Sequence, residues 1–278
     1  MSAKNRAKFN IEKRLAWSAC ALALWTICSF TALPQARLPQ VTPAASAKSW
    51  VGQEQRIEEH LKNADVTSIE DIGTGVTHPR RAHLRPSEPV ESLVWKVLPP
   101  GRRKGYWESY KSEIAAYELD KLLTMKMVPP AVERRIGDEI GAAIMWIDGT
   151  RSVKEMGGKV PSGEAWGKPI RRMLMFDNLI GNPDRNAGNI LIGSPGEVVL
   201  IDHSRAFVTD KNLPTKIERV DAELWEGMKA LSREDLMRTL QPWIEDDAIA
   251  ALVERRSRME AAVDKLVAKK SRALVIIP

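Results

Sequence analysis

Cysteine is nearly absent from this chain. Of 278 residues only Cys20 and Cys28 are cysteines, and both lie in one apolar run near the N-terminus. Disulfides and thiolate metal sites are therefore excluded from everything that follows that run. Net charge is also scarce once it is located. The chain as a whole is +6 with a pI near 9.3, but six of its 42 basic residues and one of its 36 acidic residues precede residue 48, which leaves 36 against 35 and a net of +1. A basic pI that belongs to the N-terminus alone gives no footprint for nucleic acid, and that class of partner is set aside. No internal repeat divides the chain, and 28% charged with 44% hydrophobic residues is ordinary globular composition.

What the N-terminus does have is a basic segment, residues 1–14, followed by 19 uncharged residues, 15–33, and then Pro34. Nineteen uncharged, mostly apolar residues are just enough to cross a bilayer as a helix and are long for the core of a cleaved signal. The first reading is a single-pass anchor with its positive flank in the cytoplasm, which places residues 48–278 on the far side of the membrane. The second is a signal cleaved near Ala45-Ser46-Ala47, giving a secreted or periplasmic body. Residues 34–49, rich in Pro and Ala, serve as a linker.

The body divides into a strand-rich part, residues 50–148, and a mainly helical part, residues 149–278, with a Gly-rich boundary over 150–167. A short amphipathic helix over 50–63 precedes strands that flank Gly73-Thr74-Gly75, where glycines would let backbone amides approach phosphates; on its own this fragment also reads as an ordinary hairpin. Lys96 lies within LVWKV, a run that should be buried, and a buried ammonium needs a partner. Glu113 supplies one, on a helix over 107–124 that follows a mobile-looking Pro-Pro-Gly-Arg-Arg-Lys-Gly segment. Strands AVERRI and IGAAIMWI come next, then a helix opened by Pro169. Beyond Asp210 the chain is helical to about Lys269, and Arg255-Arg256 read as part of a solvated face.

The stretch over residues 176–207, FDNLIGNPDRNAGNILIGSPGEVVLIDHSRAF, concentrates the polar chemistry. Two apolar runs around Gly193-Ser194-Pro195-Gly196 predict a hairpin. If it folds symmetrically about Pro195, Asn189 and Asp202 become cross-strand neighbours with Cβ atoms about 5 Å apart. Asp184 then comes in from the loop just upstream. An amide oxygen and a carboxylate so placed suit one hard cation, Mg²⁺ or Mn²⁺, completed by water and phosphate oxygens.

A strand lysine, a helix glutamate, D-R-x-x-x-N and a hairpin ending in I-D, in that order, resemble the protein-kinase-like fold. The details resemble its atypical branch: the phosphatidylinositol kinases, the HipA-type kinases and, above all, the secretory-pathway kinases related to the Golgi casein kinase, xylose kinase and four-jointed. SEIAAYELDKLL before VPP, FDNLIGNPDR and LIDHSRAF carry that likeness over roughly residues 66–208. The resemblance implies an α+β, two-lobed kinase-like fold with a β-rich N-lobe and a mainly helical C-lobe, preceded by the apolar N-terminal helix. It implies that Lys96 holds the ATP α/β-phosphates and pairs with Glu113, where the residues alone also allow Lys96 to snorkel to solvent and Glu113 to be a surface charge. Asp184 would orient or deprotonate an acceptor hydroxyl, while Asn189 and Asp202 hold the metal. The turn that includes Gly73 and Gly75 would cover the phosphates, and Met145, Trp146 and Ile147 would form the hinge beside adenine. The chain departs from its relatives in three places: Asn186 stands where they often have histidine, His203-Ser204 replaces Phe-Gly, and no A-P-E segment follows.

The activity so implied is metal-dependent transfer of the ATP γ-phosphate to a hydroxyl of a protein or glycan, by an enzyme held at the membrane through residues 15–33. A nucleotide-binding pseudokinase and an AMP transferase using the same residues are the alternatives. The oligomeric state stays open.

Overall fold

The computed structural model describes residues 46–278 apart from 74–76, 87–88 and 195. The basic segment, the apolar run and most of the linker, together with Gly75, lie outside the described residues. Among those described, no helix is long and apolar enough to cross a membrane.

Helix α1 (Glu54–Asn63) buries Ile57 and Leu61, and strands β1 (Val66–Asp71), β2 (Arg80–Leu84) and β3 (Ser92–Lys96) follow. The segment that reads as mobile in the sequence is instead a hairpin, β4 (Gly101–Arg103) with β5 (Tyr106–Glu108). Its two turn residues, Lys104 and Gly105, have φ of 48° and 86°, the mirror-image turn that matches the twist of paired strands. Helix α2 (Lys111–Leu122) and strands β6 (Ala131–Ile136) and β7 (Glu139–Met145) complete an antiparallel sheet of order β1-β2-β3-β7-β6. Trp50, Leu61, Leu93, Trp95, Val132 and Met145 pack into one core cluster behind that sheet.

In the helical half come the short β8 (Arg151–Ser152), α3 (Glu164–Ile180), the hairpin β9 (Ile190–Ile192) and β10 (Val198–Leu200), and β11 (Val220–Asp221). Helices α4 (Ala222–Ala230), α5 (Arg233–Leu240), α6 (Asp246–Lys270) and α7 (Arg272–Val275) then lead to β12 (Ile276–Ile277). Asp221 and Ser232 cap α4 and α5 by accepting the amides of Leu224 and Asp235, residue types suited to that position. Helix α3 begins five residues before Pro169, which sits inside it; a proline that early removes one backbone bond without ending the helix.

Arg255 departs most from its sequence reading. It is fully buried, not part of a solvated face. Its Nε donates to the Leu179 carbonyl at 3.0 Å and its Nη1 to the carbonyls of Val208 and Asp210. Burial pushes its pKa down to about 10, and backbone carbonyls take the place of a counter-ion. The guanidinium sits against Gly181, the left-handed C-cap of α3 (φ 63°), where a Cβ would lie 2.7 Å from Arg255 Cζ. A buried cation on α6 thereby fixes the turn that launches the loop carrying Asp184.

A second glycine controls the other side of the cleft. On β7, a Cβ at Gly141 would come 2.4 Å from the Lys96 carbonyl oxygen and 3.2 Å from the Trp95 ring. Strand backbone cannot yield there without moving Lys96. Gly141→Ala is expected to cost about 2 kcal/mol through overpacking, a fall of roughly 4–8 °C in melting temperature for a domain of this size. Thermal denaturation of the variant beside the wild type checks it.

Candidate active site

Lys96 ends β3, Glu113 lies in the first turn of α2, and Asp202 follows β10; the fold brings all three together. Lys96 Nζ donates to Glu113 Oε1 at 2.7 Å and to Asp202 Oδ1 at 2.8 Å. The lysine and glutamate side chains are 5% and 3% exposed, and Asp202 is 30% exposed, so the cluster is closed at its back and open at Asp202. Burial opposes each charge, but the partners outweigh it. Asp202 and Glu113 hold the ammonium above its ordinary pKa, while Lys96 holds both carboxyls below theirs. Glu113 Oε2 also accepts the His203 amide at 2.9 Å, and Ser204 Oγ donates to Asp202 Oδ1.

The hairpin corrects one expectation. Its register pairs Ile192 with Val198, Leu191 with Val199 and Ile190 with Leu200, so paired numbers sum to 390, one less than the 391 that would set Asn189 opposite Asp202. Asn189 consequently stands opposite Ile201, whose amide donates to its carbonyl at 3.2 Å, and Asn189 and Asp202 are not direct cross-strand neighbours. A one-residue slip would send Asp202 to the wrong face in a regular strand. Instead, Asp202 has φ 57°, a left-handed conformation that Asp tolerates, and its carboxylate turns to Lys96. Asn189 Nδ2 donates to the Asp184 carbonyl at 3.0 Å, which orients its Oδ1 as the atom free to act as a ligand.

Asp184 is set by a network the sequence reading passed over. Arg185 makes a two-bond fork to Asp177, with Nε to Oδ2 at 2.9 Å and Nη2 to Oδ1 at 3.0 Å. Its Nη1 donates to the carbonyls of Asn189 and Ile201, both at 2.8 Å. One buried guanidinium thus ties α3 to both strands of the hairpin. Asn182 links the same Asp177 to the Asp184 amide. Asp177 and Arg185 stand within FDNLIGNPDR, and the signal available was charge inside an apolar helix end. Arg205 was also passed over: its Nε and Nη2 donate to Glu108 Oε1 at 2.9 and 2.8 Å, and its Nη1 to Asp184 Oδ2 at 3.2 Å.

At the other expected positions the outcome varies. Gly73 lies just past β1 with φ 70° and open space where a Cβ would stand. Met145 points into the core and gives its amide to the Pro130 carbonyl, and the Trp146 amide goes to Ser92. Those two amides are therefore already engaged by the protein's own backbone. The Trp146 ring carries the Arg81 guanidinium 4.0 Å from its centroid, a contact with no sequence signal.

The donor set can be tested against a divalent cation. Among the described residues no cluster of three His, Cys, Asp or Glu could hold a metal. Asp202 and Asn189 offer oxygens only, and magnesium-type ions commonly use one or two protein oxygens completed by phosphates and water. The residues fit a metal that arrives with a nucleotide and do not form a cage for a metal alone.

A sheet-rich lobe with a buried Lys–Glu pair, facing a helical lobe that presents an aspartate loop and an aspartate after a hairpin, defines the atypical kinase-like fold. Solved structures agree. Hydra Fam20 with sugar matches with a TM-score of 0.61 at 17% identity, over 81% of this chain and 92% of that one. The Golgi casein kinase with Mn/ADP bound matches with a TM-score of 0.63 at 12% identity, over 82% and 79%. No protein-family model and no curated protein matches the sequence, so the likeness is one of fold.

Proposed function

We propose that the protein is a metal-dependent phosphotransferase that moves the γ-phosphate of ATP to a hydroxyl of a protein or glycan. The observation that carries this reading is the buried Lys96–Glu113–Asp202 cluster, closed at its back and open at Asp202. A fold neighbour named with Mn/ADP and another named with sugar support nucleotide, metal and a hydroxyl-bearing acceptor.

Phosphoryl transfer asks for positioning and charge neutralisation more than for covalent chemistry by the protein. Lys96, held charged and immobile, pairs with α/β-phosphate oxygens. Asp184, fixed through Asn182 and Arg185, orients the acceptor hydroxyl and takes its proton. Asp202 and Asn189 would hold the divalent ion, which when bound neutralises phosphate charge. Residues 15–33 would anchor the enzyme, with residues 1–14 in the cytoplasm and the body across the membrane.

The test is incubation of the purified full-length chain with labelled ATP, Mn²⁺ or Mg²⁺, and panels of protein, sugar and lipid acceptors. Labelled product whose mass rises by one phosphate supports the reading. Nucleotide binding without turnover makes the chain a pseudokinase, and a mass gain of one AMP makes it a nucleotidyl transferase.

A further inference from the structure

The contact between Arg205 and Asp184 leads beyond this assignment, although it rests on it. Three features hold Arg205 from behind. Glu108, itself 5% exposed, binds the Nε and Nη2 edge of the guanidinium. The Tyr106 ring lies 4.4 Å from Cζ, and the Ser109 amide ties the end of the β4–β5 hairpin to the Ser204 carbonyl at 2.9 Å. The remaining end, Nη1, points to Asp184 Oδ2, on a side chain 37% exposed at the cleft mouth. A pair serving structure alone would be complete with Glu108. Here the fork is clamped along one edge and offers its far nitrogen to the carboxylate that orients the acceptor.

Distances decide what that nitrogen can reach. An acceptor hydroxyl bonded to Asp184 Oδ2 lies about 2.7 Å from it, and a phosphorus poised for attack lies about 3–3.5 Å beyond the hydroxyl oxygen. With Nη1 already 3.2 Å from Oδ2, both the hydroxyl and the phosphoryl group lie within the span of an arginine side chain anchored beside Asp184. Among the described residues, Arg205 is the cation in contact with the Asp184 carboxylate.

We propose that Arg205 is a further catalytic residue: an arginine supplied from the same chain, parked on Asp184 in the nucleotide-free protein, that binds the phosphoryl group as it transfers. In that step the acceptor oxygen forms a bond to the γ-phosphorus and the bond from phosphorus to the ADP oxygen breaks. The acceptor proton passes to Asp184, and ADP leaves with the electron pair. Arg205 forms no covalent bond. It neutralises charge on the equatorial oxygens, a role in which arginine is worth about 10³-fold or more in other phosphoryl transfers. The β4–β5 hairpin, through Glu108 and Tyr106, is then the part of the N-lobe that aims it.

The experiment measures binding of Mn·ADP, with and without aluminium fluoride, together with turnover, for the full-length chain and for Arg205→Gln and Arg205→Lys. Aluminium fluoride beside ADP mimics the phosphoryl group in flight, so the wild type should bind the pair more tightly than ADP alone. Arg205→Gln is expected to lose about 10³-fold in kcat and to lose that tightening, while Mn·ADP affinity stays within about threefold. Arg205→Lys keeps the charge beside Glu108 and guards against a folding defect; its ammonium cannot hold Glu108 and reach forward at once, so it too should lose most of the tightening. Tightening that survives in either variant overturns the proposal, as does an equal loss of affinity for ADP with and without the fluoride. A wild-type chain that binds Mn·ADP but neither turns over nor tightens overturns the phosphotransfer reading as well, which separates the two failures.

Discussion

Asp202→Asn is expected to lower phosphoryl transfer by at least about 10³-fold while leaving the protein folded. The asparagine is the sharper variant because it retains shape. Asn tolerates the left-handed backbone as readily as Asp does, which matters at φ 57°, and its carbonyl oxygen can still accept from Lys96 and Ser204, the two donors that reach Asp202 Oδ1. What it removes is the negative charge. Lys96 keeps Glu113 at 2.7 Å, so the buried ammonium remains paired. The metal that would sit at this position loses its only charged protein ligand. Stabilisation of phosphoryl charge by a metal is worth several kcal/mol, and each 1.36 kcal/mol is about tenfold in rate, which sets the expected size. Turnover at saturating Mn·ATP, alongside a melting curve, reads both quantities. Wild-type turnover in this variant would remove Asp202 from the site; a collapse of the melting temperature would mean that the charge is structural.

Much of this cleft was legible before any coordinates. Lys96 and Glu113 could be paired because a lysine in LVWKV has no solvent and must find a carboxylate, and the nearest candidate faced the sheet at the start of a helix. Asp202 could be picked out because it follows directly on the apolar run VVLI, which has no use for a charge, and Asp184 because it opens D-R-x-x-x-N just upstream of the hairpin. The hairpin was legible from its turn residues, but its register was not. Symmetry about a turn locates pairing only to about one residue, and one residue decides which face a side chain takes. The left-handed conformation at Asp202, from which its carboxylate meets Lys96, is a feature that no pattern of apolar residues encodes. Arg255 was misread for a related reason. A long helix with alternating charge looks solvated from outside, and only the fold reveals that one of those arginines meets three backbone carbonyls. Arg205, Glu108 and Tyr106 were beyond reach because their contacts join the β4–β5 hairpin to the segment after Asp202, nearly a hundred residues apart in sequence.

Lys96→Met should act on stability as strongly as on chemistry, and the two effects can be separated. Methionine fills much of the lysine stem's space, so the loss is chiefly that of the ammonium. Glu113, 3% exposed, would then be left buried beside Asp202 with no cation between them. Removing one member of a buried ion pair typically costs about 3–5 kcal/mol, because the orphaned charge cannot recover its hydration. At about 2–4 °C per kcal/mol for a domain of this size, the melting temperature should fall by roughly 6–20 °C. Adding Glu113→Gln removes one of the two stranded charges, and the double variant should regain much of that loss while remaining unable to bind nucleotide. The His203 amide still finds an acceptor in the glutamine carbonyl, so the second substitution does not open a new defect. Recovery of stability without recovery of nucleotide binding is what a phosphate-holding lysine requires. If the single variant melted like the wild type, the ammonium would not be holding the two carboxylates together, and the buried cluster on which the functional reading rests would lose its energetic basis.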